Sequence, residues 1–361
     1  MPFTAAKIQS VKTSEVVDLD FMRDVAGRID ITSDEERILA RSLKENKNLR
    51  SFMLCRAFLS DRGAGQIAEA IEKKDKLVSL SFDRISVETR DGLRKLMSCS
   101  LARKQLLQEF TFKRMLRGTI HSDIIAAIAD GLKHKPELRL LDFEGNQEFG
   151  IQDTMQIAAS LTGNTKIRSL NFSDDRLGLR GAEALAKVLE HNQDLRTLSL
   201  SQTMIGDEGA SKLASVLVTM PKLRSWSFMH NEIGIDGGLQ VLKVFQDSAS
   251  LRSLGFFNSA LVQDRRFLDE LVRVLEGNVS LVELRGNNRR YDLLEPYGSR
   301  IQAVLRRNAM ANRFIDEATS RVMPAMTGAM FGGKSSFFCS LRHEQIDGPP
   351  IASVLEALKY I

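Results

Sequence analysis

The chain has 361 residues, 43% of them hydrophobic and 27% charged, with a formal net charge of +5. That balance is ordinary for a folded chain and excludes disordered and fibrous classes. No run of about 18 apolar residues is present to span a bilayer, and the first residues lack the apolar core of a secretory signal. Cys55, Cys99 and Cys339 are odd in number and lack metal-ligand spacing, which predicts a reducing, cytoplasmic setting.

Residues 1–29 read as an N-terminal cap or a degenerate first repeat, with VVDLDF from Val16 as its strand. From residue 30 the chain is periodic. LRSFML starts at Leu49, LVSLSF at Leu77, LQEFTF at Leu107, LRLLDF at Leu138 and IRSLNF at Ile167. LRTLSL at Leu195, LRSWSF at Leu223, LRSLGF at Leu251 and LVELRG at Leu281 follow, with starts 28 to 31 residues apart throughout. Apolar residues hold the first, fourth and sixth places of each hexad, and the alternation at its end predicts a short strand. One strand per repeat, all in one direction, predicts a parallel sheet.

The second half of each repeat changes period. LSDRGA from Leu59, LGLRGA from Leu177, IGDEGA from Ile205 and IGIDGG from Ile233 each precede apolar residues at helical spacing, such as Ala210, Leu213, Ala214 and Leu217. Acidic residues near these starts suit the helix dipole. Gly163-Asn164, His191-Asn192 and Gly277-Asn278 fall where helices should end. The glycine pair in the incoming loop predicts a tight backbone turn. Such a period marks a solenoid, whose units bury their apolar faces only against each other.

The pattern LxxLxL…(I/L)GxxGAxxLAxxL over residues 30–308 resembles the ribonuclease-inhibitor-like class of leucine-rich repeats, as in the repeat domains of intracellular NOD-like receptors. The resemblance implies an α/β solenoid horseshoe, with strands on the concave side and helices on the convex side. The chain departs from it at the loop Asn after each strand, a column that reads Ala57, Ile85, Met115, Asn146, Asp175, Thr203, Asn231 and Ser259. An interrupted hydrogen-bond ladder is expected there. The family includes inhibitors, innate sensors, actin-end cappers and activators of small GTPases, so the resemblance selects no single function.

Charge and chemistry narrow the choice. Arg285 to Arg313 holds seven arginines against Asp292 and Glu295, an excess equal to the net charge of the chain. Arg103, Lys104, Lys113, Arg114 and Arg117 form a second basic cluster. The outward third and fifth strand places are mostly Ser and Thr, which rarely anchor interfaces. The richer candidates lie on the loop rim: Met229, His230, Phe257, Asn258, Arg285, Arg289, Arg290 and Tyr291. Phe82, Phe112, Phe143, Phe172, Phe228 and Phe256 occupy the inward sixth place, predicting a stacked core spine rather than base-stacking platforms. Nucleic acid is therefore not the expected partner.

The five histidines fall in different repeats, and no nucleophile, metal or cofactor motif emerges. Gly328 to Ser335 matches a phosphate-binding loop, but Pro324 spoils the strand that must feed it, so a flexible connector is expected. Ile301 to Arg307 reads as the last helix of the repeats, and residues 309–361 as a tail with a short helix at Ile351 to Tyr360. The expected function is a non-catalytic, monomeric protein-binding scaffold. The alternatives are a small-GTPase activator working through Arg56, Arg84 or Arg114, and an actin-end-capping-like protein.

Overall fold

A strand face and a helix face of one short repeat can be buried only against the repeats on either side. The computed structural model describes residues 11–20, 29–115, 121–133, 135–255, 261, 264–285 and 297–322. In chain order its strands are β1 (Val16–Asp20), β2 (Ile29–Asp30), β3 (Ser51–Cys55), β4 (Ala57–Leu59), β5 (Ser79–Asp83), β6 (Ser86–Val87) and β7 (Glu109–Lys113). They continue as β8 (Leu140–Asp142), β9 (Ser169–Asn171), β10 (Thr197–Ser199), β11 (Ser225–Ser227), β12 (Ser253–Gly255) and β13 (Glu283–Arg285). One parallel sheet of ten strands runs β1-β3-β5-β7-β8-β9-β10-β11-β12-β13. Its register is unbroken: Ser169 faces Thr197, Thr197 faces Ser225, Ser225 faces Ser253, and Ser253 faces Glu283. A helix follows nearly every strand of this sheet, and successive helices pack side by side. The molecule is an α/β solenoid. The last helix, Tyr297–Val322, runs well past the expected end at Arg307.

The core follows the hexads. Phe82, Phe112, Phe143 and Phe172 are fully buried, and Phe228 nearly so. Phe143 and Phe172 stack, with centroids 5.6 Å apart and rings 19° from parallel. Phe110, Phe112 and Phe149 meet Phe143 edge-on, which suits the ring quadrupole. The expected spine is thus a cluster centred on Phe143, while Phe256 lies outside the described residues.

Two columns of polar side chains join repeat to repeat. In the first, after the strands, Asn231 Nδ2 donates to the carbonyls of Leu200 (2.5 Å) and Phe228 (2.9 Å), and its Oδ1 accepts from Thr203 N (2.9 Å). Asn146 does the same with Phe112 and Phe143 and accepts from Met115 N. Asp175 occupies the same column, fully buried. Its Oδ1 accepts from Asn146 N at 2.7 Å, but Oδ2 has no hydrogen-bond partner. Burial, followed by the charges of Asp174, Asp142 and Glu144, pushes this carboxyl well above its ordinary range, against the Asn146 hydrogen bond.

The second column precedes the strands. Asn192 Oδ1 accepts from Asp194 N and Leu195 N, and its Nδ2 reaches back to the Ile167 carbonyl at 3.1 Å. Asn164, Asn278 and Asn308 repeat this reach. These residues therefore fasten adjacent repeats, beyond the local capping expected of them. Lysines replace them nearer the N-terminus: Lys74 Nζ donates to Lys44 O and Asn46 O, and Lys104 Nζ to Glu72 O at 2.6 Å. Each ammonium sits at the negative end of the preceding helix. Within the second basic cluster Lys104 is fully buried, while Arg117 lies outside the described residues.

Where the loop column turns apolar, the backbone supplies the missing bonds. Ala57, Ile85 and Met115 are all buried, and since Asn146 already serves Met115, the backbone answers for the first two. A second parallel sheet, β2-β4-β6, runs beside them, and Glu88 N donates to Leu59 O at 2.9 Å. The two loop glycines also part company. Gly206 has φ +61°, a true turn residue. Gly63 instead makes room: a Cβ there would lie 2.1 Å from Glu36 Cδ, whose carboxylate accepts from Ser60 N (2.6 Å) and Ser60 Oγ (2.5 Å).

Asp175→Asn restores an amide to its column and is expected to stabilise the fold at neutral pH by about 1–3 kcal/mol. Because the folded pKa is raised, the unfolded chain loses this proton first, so wild-type stability falls as pH rises above about 4. Urea melts should show the variant's advantage growing from pH 4 to 7; an equal or negative difference contradicts it. Lys104 has the opposite sign, its ammonium pulled down to about 8 by burial. Wild type should gain stability relative to Lys104→Met between pH 8 and 10.5, and a flat difference across that window contradicts the assignment.

Candidate protein-interaction surface

The outward places of the sheet are built from the third and fifth letters of the hexads. Ser169, Asn171, Thr197, Ser199, Ser225 and Ser227 are all half-buried, while Ser81, Ser253 and Gly255 are buried. Their hydroxyls bond along the sheet, Thr111 to Ser81 and Ser201 to Ser227. The floor is thus polar and built of short side chains, with the buried Ser253 hydroxyl left without a hydrogen-bond partner. Met53 on β3 is an exception, an apolar side chain exposed there.

Just past the strands the backbone turns through left-handed residues, one per repeat: Arg56, Arg84, Arg114, Gly145, Asp174, Gln202 and His230. Their amides extend the ladder beyond the sheet. Arg84 N donates to Lys113 O at 3.0 Å, Arg114 N to Glu144 O at 2.9 Å, and Gln202 N to Met229 O at 2.8 Å. Side chains at this rim are thereby held at fixed spacing. Between β5 and β9 they form an ionic network that sequence reasoning did not assemble. Arg114 grips Asp83 with two bonds (3.0 and 2.6 Å), and Lys113 lies 2.7 Å from Asp142 and 3.4 Å from Glu144. Burial opposes the Lys113 charge, but Asp142 and Glu144 outweigh it and raise its pKa. The signal was present in the residues that end each strand, Asp83, Lys113 and Asp142, whose signs alternate between neighbouring repeats.

Of the rim residues expected to bind a partner, the structure places three. His230 is exposed, with φ +56°, and Met229 before it is half-buried. A Cβ at Gly255 would meet Ser227 Oγ at 2.6 Å first and Met229 Cγ at 3.4 Å, so both side chains pack over this glycine of the fifth column. Arg285 continues that column, opposite Gly255 and exposed, with Nε 3.0 Å from Glu283. This pair is exposed on both sides and holds Arg285 only weakly. Phe257, Asn258, Arg289, Arg290 and Tyr291 lie outside the described residues, as does the 328–335 segment. Among the described residues, no three His, Cys, Asp or Glu side chains converge to hold a metal ion, and no helix is long and apolar enough to cross a membrane. Cys55 is buried, its thiol 3.6 Å from Asp83 Oδ2, and Cys99 is half-buried.

The Leucine Rich repeat family matches residues 191–214. No curated protein matches the chain by sequence. Solved structures that resemble it include leiomodin-1 actin-binding site 2, at 18% identity and a TM-score of 0.42, covering 48% of this chain and 97% of that one. The tropomodulin C-terminal domain of Caenorhabditis elegans, at 15% identity and a TM-score of 0.38, covers 46% and 98%. The yeast Rad7–Elc1 complex, at 15% identity and a TM-score of 0.45, covers 70% of this chain and 59% of that one. The parallel sheet, the helix after each strand and the matched repeat together make the fold a leucine-rich-repeat α/β solenoid.

Proposed function

We propose that this chain is a non-catalytic protein-interaction scaffold of the reducing cytoplasm, monomeric, that engages its partner along the open sheet face and loop rim. The contact site is centred on Met229, His230 and Arg285, with Phe257, Asn258, Arg289, Arg290 and Tyr291 continuing it. The observation that carries this reading is the pairing of side chains around Gly255. On one side Met229 packs over the glycine beside Ser227, and on the other an exposed guanidinium, Arg285, stands in register with it. An apolar and a guanidinium side chain this close suit an interface anchor better than the surrounding serines do. A rigid, pre-formed surface also loses little entropy on binding. The repeat pattern supports membership of the ribonuclease-inhibitor-like class. The arginine-dependent GTPase alternative is weakened by the Asp83–Arg114 pair, which holds one of its three candidate guanidinium groups.

Quantitative affinity capture with the intact chain, beside Met229→Ala/His230→Ala/Arg285→Ala and a convex-side control, Glu208→Ala, tests the site. Proteins retained by wild type and the control should fall about tenfold or more on the triple variant. Equal retention by all three would move the site elsewhere.

A further inference from the structure

A row of arginines lies along the other edge of the sheet, where the chain enters each strand. The second letters of five successive hexads are Arg139, Arg168, Arg196, Arg224 and Arg252. They are adjacent in space as well as in pattern. Arg168 N donates to Arg139 O, Arg196 N to Arg168 O, Arg224 N to Arg196 O and Arg252 N to Arg224 O, each at 2.8 Å. Neighbouring strands lie about 4.8 Å apart, so four steps carry the row about 19 Å along the solenoid.

The counter-charge beside this row is small and already taken. Glu137 and Asp194 are the carboxylates one residue before these hexads, and Lys166 and Lys222 stand at the same place in the alternate repeats. Lys166 lies 2.5 Å from Glu137, and Lys222 lies 2.5 Å from Asp194. Arg139 reaches Glu137 only at 3.8 Å. Nε of Arg139 and Nε of Arg168 are buried and have no hydrogen-bond acceptor. Arg196 and Arg224 are exposed. Like charges directly opposite on adjacent strands destabilise a sheet. Arg252 Nη1 donates to the Ser280 carbonyl at 3.1 Å, but the like charges along the row remain a cost that an external polyanion would remove.

We propose that this row is a second binding surface, which takes an acidic protein segment lying along the solenoid axis. Acidic side chains that recur once per helical turn, about 5.4 Å apart, nearly match the step of the row, and long guanidinium side chains absorb the difference. Ser169, Thr197 and Ser225 follow the arginines at once and add hydroxyl donors beside them. A nucleic acid fits less well, because the aromatic residues of these repeats, Phe172, Trp226 and Phe228, are buried and offer no stacking platform. The row stands apart from Met229 and His230, on the opposite edge of the sheet.

The inference rests on the reading of the chain as a protein-binding solenoid, but the two fail separately. The probe is a labelled alanine-rich helical peptide of about 20 residues with Glu at every fourth position, followed by fluorescence anisotropy at low salt. An oligothymidylate of equal formal charge is measured beside it. Arg168→Ser/Arg196→Ser/Arg224→Ser should weaken peptide binding about tenfold or more, and the matching Lys variant should restore much of it. Arg265→Ser/Arg266→Ser/Arg306→Ser removes the same charge elsewhere and should leave binding within about twofold. Thermal melts by circular dichroism establish that each variant is folded. Three results would each overturn the proposal: no peptide binding by wild type, equal loss in both Ser variants, or tighter binding of the oligonucleotide through the same arginines. Loss of the peptide site with partner capture intact would leave the scaffold reading standing.

Discussion

Every repeat of this chain turns twice, and each turn leaves buried backbone groups that cannot reach water. An unpaired buried carbonyl or amide costs as much as a lost hydrogen bond. The solenoid exists because the neighbouring repeat supplies the partner at both turns. Before the strands, Asn192 and Asn308 carry the amide that reaches the preceding repeat; after them, Asn146 and Asn231 do so. Uniform strand register follows, because a repeat displaced by one residue would leave both columns unmatched. The rim and the arginine row inherit their regular spacing from the same requirement.

The chain meets that requirement with three chemistries, in different parts of its length. From Asn146 to Asn231 a buried side chain does the work, with Thr203 and Asp175 as lesser versions of Asn. In the first repeats, where Ala57 and Ile85 stand, backbone strands β4 and β6 pair instead. On the other side of the sheet, the ammonium groups of Lys74 and Lys104 reach the carbonyls of preceding helices. A lysine there gains the helix dipole but loses hydration, and burial pulls the Lys104 ammonium down to about 8.

The fold was legible because strand and helix periods alternate in every copy, and period depends on local pattern alone. The Asn column could be located for the same reason, but the response to its gaps could not. Ala57 and Ile85 read as a broken ladder, whereas β2, β4 and β6 appear only when three loops lie together. The site was less legible still. The place of Met229 on the rim leaves its exposure open, since that depends on a residue of the next repeat, Gly255, over which it packs beside Ser227. The Asp83–Arg114 pair escaped notice because 31 residues separate its members.

The arginine row shows the converse case. Its letters stand in plain sight, since five successive hexads begin LR or IR. What the sequence does not contain is the cancellation, or lack of it, between charges in adjacent repeats. Lys222 first, then Arg168 and Arg196, hold the Asp194 carboxyl below its ordinary range, so one carboxylate answers to three cations. The acidic rim on the far edge, with Asp142 and Glu144, is by contrast matched by Lys113. One edge of the sheet is therefore electrostatically closed and the other open. A solenoid that pairs opposite charges at contact distance on one edge, while stacking guanidinium groups in excess of carboxylates on the other, is polarised across its own face. That polarity would orient a partner before any contact forms.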